Sequence, residues 1–227
     1  MTNYYTNSLS FKDYMSKTYS TVALGLLLSA VVSFIVGSNF NLLILVASSS
    51  LILLLLEIGI AIYFSARLIQ MKKSTAYLCY FLYSFITGLT LGAVVYSYAL
   101  GSVVMAFATT TVLFVCMAVI GKTTNVDFTK YSSLISIGML TLLIVSLLNG
   151  LLFHSSATDM LITYAMVIIF LVLIAMDTQQ LRRYYNSAAY DDELNDKLMI
   201  MGAFQLYLDF INLFLRILSI FGKRKDD

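Results

Sequence analysis

Residues 198–221 read LMIMGAFQLYLDFINLFLRILSIF, a stretch in which Asp209 and Arg216 are the only charges. A helix needs about 20 mainly apolar residues to cross hydrocarbon, and this run is long enough. Its polar residues are not scattered. Gln205, Asp209, Asn212 and Arg216 fall at i, i+4, i+7 and i+11, which places them along one helical face. Leu206, Phe210, Leu213, Phe214 and Ile217 make the other face apolar. Such a striped helix predicts a central position among other helices, with its polar row turned toward a cavity or pore.

The rest of the chain supplies those neighbours. Of 227 residues, 60% are hydrophobic and 11% charged, and none is proline or tryptophan. Soluble domains average about 45–50% apolar and about 25% charged, so this chain cannot jacket a core in polar surface, and its solvent is lipid. Six further runs are long and apolar enough to span, giving expected spans at about 18–37, 42–64, 75–96, 102–120, 134–153, 160–177 and 198–221. The first follows Lys12, Asp13 and Lys17 and ends at no small-residue cleavage site, so it reads as a span rather than a signal peptide. The longest linker, 181–197, reads as a polar loop carrying Asp191, Asp192, Glu193 and Asp196. The expected architecture is all-α: residues 1–227 form a single integral membrane domain of seven transmembrane helices.

Charge fixes the expected orientation. Lysine and arginine concentrate in cytoplasmic loops. The N-terminal segment and the second, fourth and sixth loops carry ten of them, including Arg67, Lys72, Lys122 and Arg182, and the first, third and fifth loops carry none. The N-terminus is therefore expected in the cytoplasm. Seven full crossings would put Lys223, Arg224 and Lys225 outside, against the same rule, unless the last run is re-entrant. That short tail is the largest basic cluster, so nucleic acid is not an expected partner. Cys79 and Cys116 lie within apolar runs and read as small hydrophobes.

A charge at the bilayer centre costs a few kcal/mol and needs a partner or a watery cavity. Glu57, Asp177, Asp209 and Arg216 are the candidates. Gln205 and Asn212 also suit interhelical hydrogen bonding, and Arg216, near the membrane edge, suits a snorkelling anchor. Glu57 fits either a neutral buried acid or a pathway residue. Gly88 and Gly92 form a small-xxx-small pair for close helix packing. His154 falls in an outer loop.

The run Phe204-Gln-Leu-Tyr-Leu-Asp-Phe-Ile-Asn-Leu-Phe-Leu-Arg216 and the segment Met176-Asp-Thr-Gln179 resemble the two signatures of the transmembrane Bax inhibitor motif family, and the glycine pair matches a weaker one. The resemblance implies a pH-sensitive calcium leak channel contributing to calcium homeostasis. It implies that Asp177 and Asp209 form a di-aspartyl pH sensor and gate, that Glu57 lies along the pathway and that Arg67 is the counterpart of a basic latch on the pair; the polar stripe adds Gln205 and Asn212 as pathway candidates, and the oxygens of the pair suit transient calcium binding. No cofactor and no enzymatic activity are implied, and the expected partners are lipid, calcium and protons. The expected location is an inner or plasma membrane.

Elementary electrostatics makes such a pair workable. Two carboxylates ~4 Å apart at an effective dielectric of ~20 repel by about 4 kcal/mol, so they share a proton and titrate as one unit. Doubly ionised, the same oxygens attract a hard divalent cation, which takes about six to eight oxygen ligands. Two aspartates on adjacent spans also suit an intramembrane aspartyl protease, but no Gly-x-Gly-Asp string precedes Asp209. A retinal protein would need a lysine in the last span, and there is none. A proton-coupled transporter would show the same acids.

Overall fold

A computed structural model describes residues 10–188 and 191–225. The helices, in order, are α1 (Phe11–Ser38), α2 (Phe40–Ser48), α3 (Ser50–Arg67), α4 (Lys73–Ser97), α5 (Leu100–Thr123), α6 (Ser132–Leu148), α7 (Ser156–Ser187) and α8 (Asp192–Phe221). All but α2 are long and apolar enough to cross a membrane, which makes seven, and no strand occurs among the described residues. Leu51, Ile52, Leu54 and Leu55 on α3 and Leu134, Ile137, Leu140 and Leu147 on α6 are exposed. In water these would be faults; in hydrocarbon they are ordinary surface. The last helix is the most buried of the spans.

Two boundaries depart from the expected spans, each for a local reason. The second run is not one helix. Asn39 is extended and its Oδ1 accepts from the amides of Asn41 and Leu42, at 3.1 and 3.3 Å, which starts α2 as an N-cap. Ser48 Oγ then donates to the Ile44 and Leu45 carbonyls, at 2.6 and 3.2 Å, and the helix breaks at Ser49. Such back-bonding competes with the helical ladder and bends it. The second departure is the expected loop 181–197, most of which is helical. α7 runs on to Ser187, and α8 restarts at Asp192. Asp191 Oδ1 accepts from the Leu194 amide at 2.9 Å, and Asp192 and Glu193 lie in the first turn, where negative charge suits the helix dipole.

The helices sort into two compact units. The first comprises the described residues of Met1–Ala99 and Leu181–Tyr207. Here α1 and α4 meet along small residues: a Cβ on Gly88 would stand 2.8 Å from Val32 Cβ and 3.0 Å from the Ser29 backbone, and one on Gly92 would stand 2.6 Å from Val36 Cβ. The backbones approach because nothing intervenes. Tyr14, Phe64, Tyr80 and Tyr207 are fully buried in this unit, and Phe204 joins Phe64 at 4.8 Å and Tyr83 at 5.0 Å between ring centroids. The α3–α4 corner is tied to the first turns of α8 by a Lys73–Asp196 ion pair at 2.6 Å and by Lys197 Nζ donating to the Ile69 carbonyl at 3.2 Å.

The second unit comprises Leu100–Gln180 and the described residues from Leu208 onward. Phe210 packs against Phe107 and Phe114 of α5, at 5.3 and 5.6 Å. Gly121 lets α5 touch α7, since a Cβ there would meet the backbone of Ala175 at 2.9 Å from its Cα. α6 ends in a π turn, Asn149–Phe153, and His154 follows in the left-handed region at φ 49°. At the far end of α8 the Lys223 amide donates to Ser102 Oγ at 3.0 Å. α8 is an unbroken helix of 30 residues, long and apolar enough to cross a membrane.

Candidate functional site

Asp177 on α7 and Asp209 on α8 both belong to the second unit. They come together there. Each residue is buried, at 9% and 6% exposure, and the two carboxyls lie close enough to act on one another. An ionised carboxylate only accepts, so two carboxyls this close can bond to one another only through a shared proton. Asp209 Oδ2 is left buried without a partner, an acceptor with nothing to accept from. A buried, half-satisfied pair of acids is costly to build.

The surrounding residues show how the pair is held. Gly121 admits α5 to the backbone of Ala175, two residues before Asp177. Two residues after it, Gln179 spends its whole amide on the α5–α6 connection: Oε1 accepts from the Phe128 amide at 2.9 Å and Nε2 donates to the Val126 carbonyl at 2.7 Å. On α8, Phe210 is seated between Phe107 and Phe114 of α5. Each aspartate is therefore flanked along its own helix by packing to α5 or the connection that follows it. Gln179 was visible only as the end of the Asp-Thr-Gln string, and periodicity alone assigned it no task.

The remaining candidates have local partners. Asn212 Nδ2 donates to the Leu208 carbonyl of its own helix at 2.8 Å. Gln205, in the first unit, accepts from the Tyr184 hydroxyl at 3.2 Å. Gln205, Asn212 and Arg216 are each only partly buried, whereas Asp209 is buried. Glu57, half-buried on α3, accepts from Thr90 Oγ1 at 3.0 Å. Arg67, exposed at the end of α3, donates to Gln70 Oε1 at 2.6 Å. Gly88 and Gly92 lie at the α1–α4 contact. Among the described residues no group of three or more histidine, cysteine, aspartate or glutamate side chains converges, so a cation at the pair would have two carboxylates and would take its other oxygens from amides, carbonyls or water.

Comparisons with known proteins identify relatives along nearly the whole chain. The chain is 32% identical over 218 residues to the inner membrane protein YbhL of Escherichia coli strain K12, covering 94% of this chain and 93% of that one. It is 33% identical over 224 residues to an uncharacterized membrane protein of Streptococcus pyogenes serotype M1, covering 96% of each. It is 33% identical over 217 residues to a protein of Borreliella burgdorferi, covering 94% of this chain and 93% of the other. The pattern of the family described as Inhibitor of apoptosis-promoting Bax1 matches residues 11–226. A seven-span membrane protein matching that pattern across nearly its whole length belongs to the Bax inhibitor family.

Proposed function

We propose that this protein is a pH-sensitive calcium leak channel in an inner or plasma membrane, with Asp177 and Asp209 as both sensor and gate. The observation that carries the reading is the buried pair of neighbouring carboxyls, one on α7 and one on α8. A proton shared between them would bond α7 to α8, and that bond would be lost with the proton. Adding or removing protons changes the charge of the pair and the bond between the helices together. Calcium, a proton and a guanidinium compete for the same oxygens. Glu57, Gln205 and Asn212 line the path in this reading, and Arg67 is the latch. The name of the YbhL relative supports the inner-membrane location, and the ten-to-zero lysine and arginine count supports a cytoplasmic N-terminus. The reading requires no enzymatic step.

The test is calcium entry into proteoliposomes holding the purified full-length protein alone, followed from acidic to mildly alkaline pH. The expected result is a leak that varies with pH. Arg67→Ala should leak more at neutral pH with its midpoint moved upward, because removing a positive charge makes nearby carboxyls easier to protonate. Arg67→Lys should rescue only in part, since an ammonium cannot bridge two carboxylates as a guanidinium does. No calcium entry at any pH would overturn the channel in favour of a proton-coupled transporter. An unshifted midpoint in Arg67→Ala would reduce Arg67 to a cytoplasmic anchor.

A further inference from the structure

The break at Ser49 lies in the wall of a groove. Where α2 gives way to α3, a cleft of about 470 Å³ opens between α1, α2, the start of α3 and α4. Val32, Val36, Val46 and Leu53 form its buried floor, and Leu42, Leu45 and Phe85 stand exposed at its rim. Among the described residues that line it, Ser49 alone is polar. All of them belong to the first unit.

Its dimensions choose the occupant. Leu53 follows Leu42 by eleven residues, roughly 16 Å of helix at about 1.5 Å per residue, and one leaflet is half of a hydrocarbon core about 30 Å thick. The groove therefore runs from beside the α1–α2 turn to about the middle of the membrane. Spread over that length, 470 Å³ is a trough roughly 6 Å across, too narrow for a helix, which measures about 10–12 Å with its side chains. Carbon atoms touch at about 3.5–4.0 Å, so a single hydrocarbon chain fits.

The walls choose it too. Apolar cavities stay dry, because water finds no hydrogen-bonding partner in them, and an empty trough would forfeit the dispersion contacts of its lining. Within hydrocarbon, close packing is what holds one surface to another, and a trough touches a chain on several sides where a convex helix face touches it on one. Residues 37–56 carry no charge, and Ser38, Asn39 and Asn41 at the turn are exposed and neutral. Recognition therefore rests on the chain of the lipid and not on the charge of its headgroup. We infer that this groove binds one acyl chain of a phospholipid from the leaflet on the side of the α1–α2 turn. The site goes beyond the channel reading and does not depend on it, because the aspartate pair belongs to the second unit.

The chain has no tryptophan, so one introduced indole reports without background. Phe85→Trp places it in the groove, and Leu140→Trp places it on the exposed surface of α6 as the control for ordinary boundary lipid. Each full-length variant is loaded in detergent with phosphatidylcholine brominated at mid-chain, whose bromine quenches a tryptophan it touches, and is then diluted into lipid-free detergent. Leu140→Trp should recover its fluorescence on dilution, and Phe85→Trp should recover only at a several-fold greater dilution. Val46→Phe, which fills the groove from its floor, should make Phe85→Trp recover with the control; if that variant fails to fold, Leu42→Phe fills it from the rim and should do the same. Brominated phosphatidylglycerol with the same chains should be retained equally. Recovery of both reporters together would overturn the site, as would retention that survives the filled groove. A several-fold difference between the two headgroups would overturn recognition by the chain. A position 85 that no brominated lipid quenches would show that a second copy or another protein segment covers the groove, and would overturn the lipid assignment.

Discussion

At the scale of residues, the aspartate pair makes the sharpest demand. Asp177 and Asp209 are buried next to one another, so either aspartate without the other is a different chemical object. Asp177→Asn and Asp209→Asn should each flatten the pH dependence of calcium entry about as much as both changes together, because groups that act as a unit are not additive. Independent, additive effects in the double-mutant cycle would show two separate sites. The glycines give a second demand that concerns stability alone. Gly88→Ala drives a methyl into Val32 and the Ser29 backbone, and overpacking of this kind costs about 1–3 kcal/mol. A Cβ on Gly59 meets nothing within 4 Å, so Gly59→Ala is the matched control and should leave the unfolding midpoint in detergent unchanged or raised. Spacing revealed Gly88 and Gly92 as a pair. That Gly121 does the same for α5 and α7 was not legible, because its partner is a stretch of backbone at Ala175 with no signal of its own.

At the scale of elements, connections are held by single polar side chains. Asn149 is 1% exposed, and its amide donates to the Ser155 carbonyl at 3.0 Å and to Asp159 Oδ1 at 2.7 Å while its Oδ1 accepts from the Ser155 amide at 3.2 Å. This bracket closes the α6–α7 turn, and it holds His154 in a left-handed conformation that costs a non-glycine residue roughly 1–2 kcal/mol. Asn149→Ala, which strands these groups, should destabilise by about 1–3 kcal/mol. Asn149→Asp, although the same size, should fail to rescue, because a carboxylate cannot donate and would face that of Asp159. Thermal unfolding of the three proteins in one detergent decides it, and an Asn149→Asp protein as stable as the wild type would remove the bracket from the account. His154 read as an incidental loop residue in the sequence, and the structure gives it a backbone strain rather than a chemistry. The break at Ser49 was likewise hidden, since a run of serines inside an apolar stretch does not by itself say where the ladder yields.

At the scale of the whole molecule, orientation follows from charge and is open to a direct test. Cysteine substituted at Ser102 or Ser155 should be labelled by a membrane-impermeant reagent from outside, and at Ser74 it should not. The Lys223 amide is bonded to Ser102, so a cysteine at Lys223 should follow Ser102, placing the basic tail outside despite its charge. Labelling of position 74 from outside would reverse the topology. Composition and periodicity alone determined that the chain lives in lipid, crosses it with seven helices and carries an acid on the second, the sixth and the seventh, because hydrocarbon forces every backbone group into an internal bond and penalises each buried charge. These are costs counted along one helix at a time, and a linear string records them. Tertiary structure alone decided that Asp177 and Asp209 are buried side by side, that Gln179 anchors the helix bearing one of them, and that Glu57 meets Thr90. Those contacts join residues far apart in sequence, and their energies depend on distance and on the exclusion of solvent, neither of which exists until the helices pack.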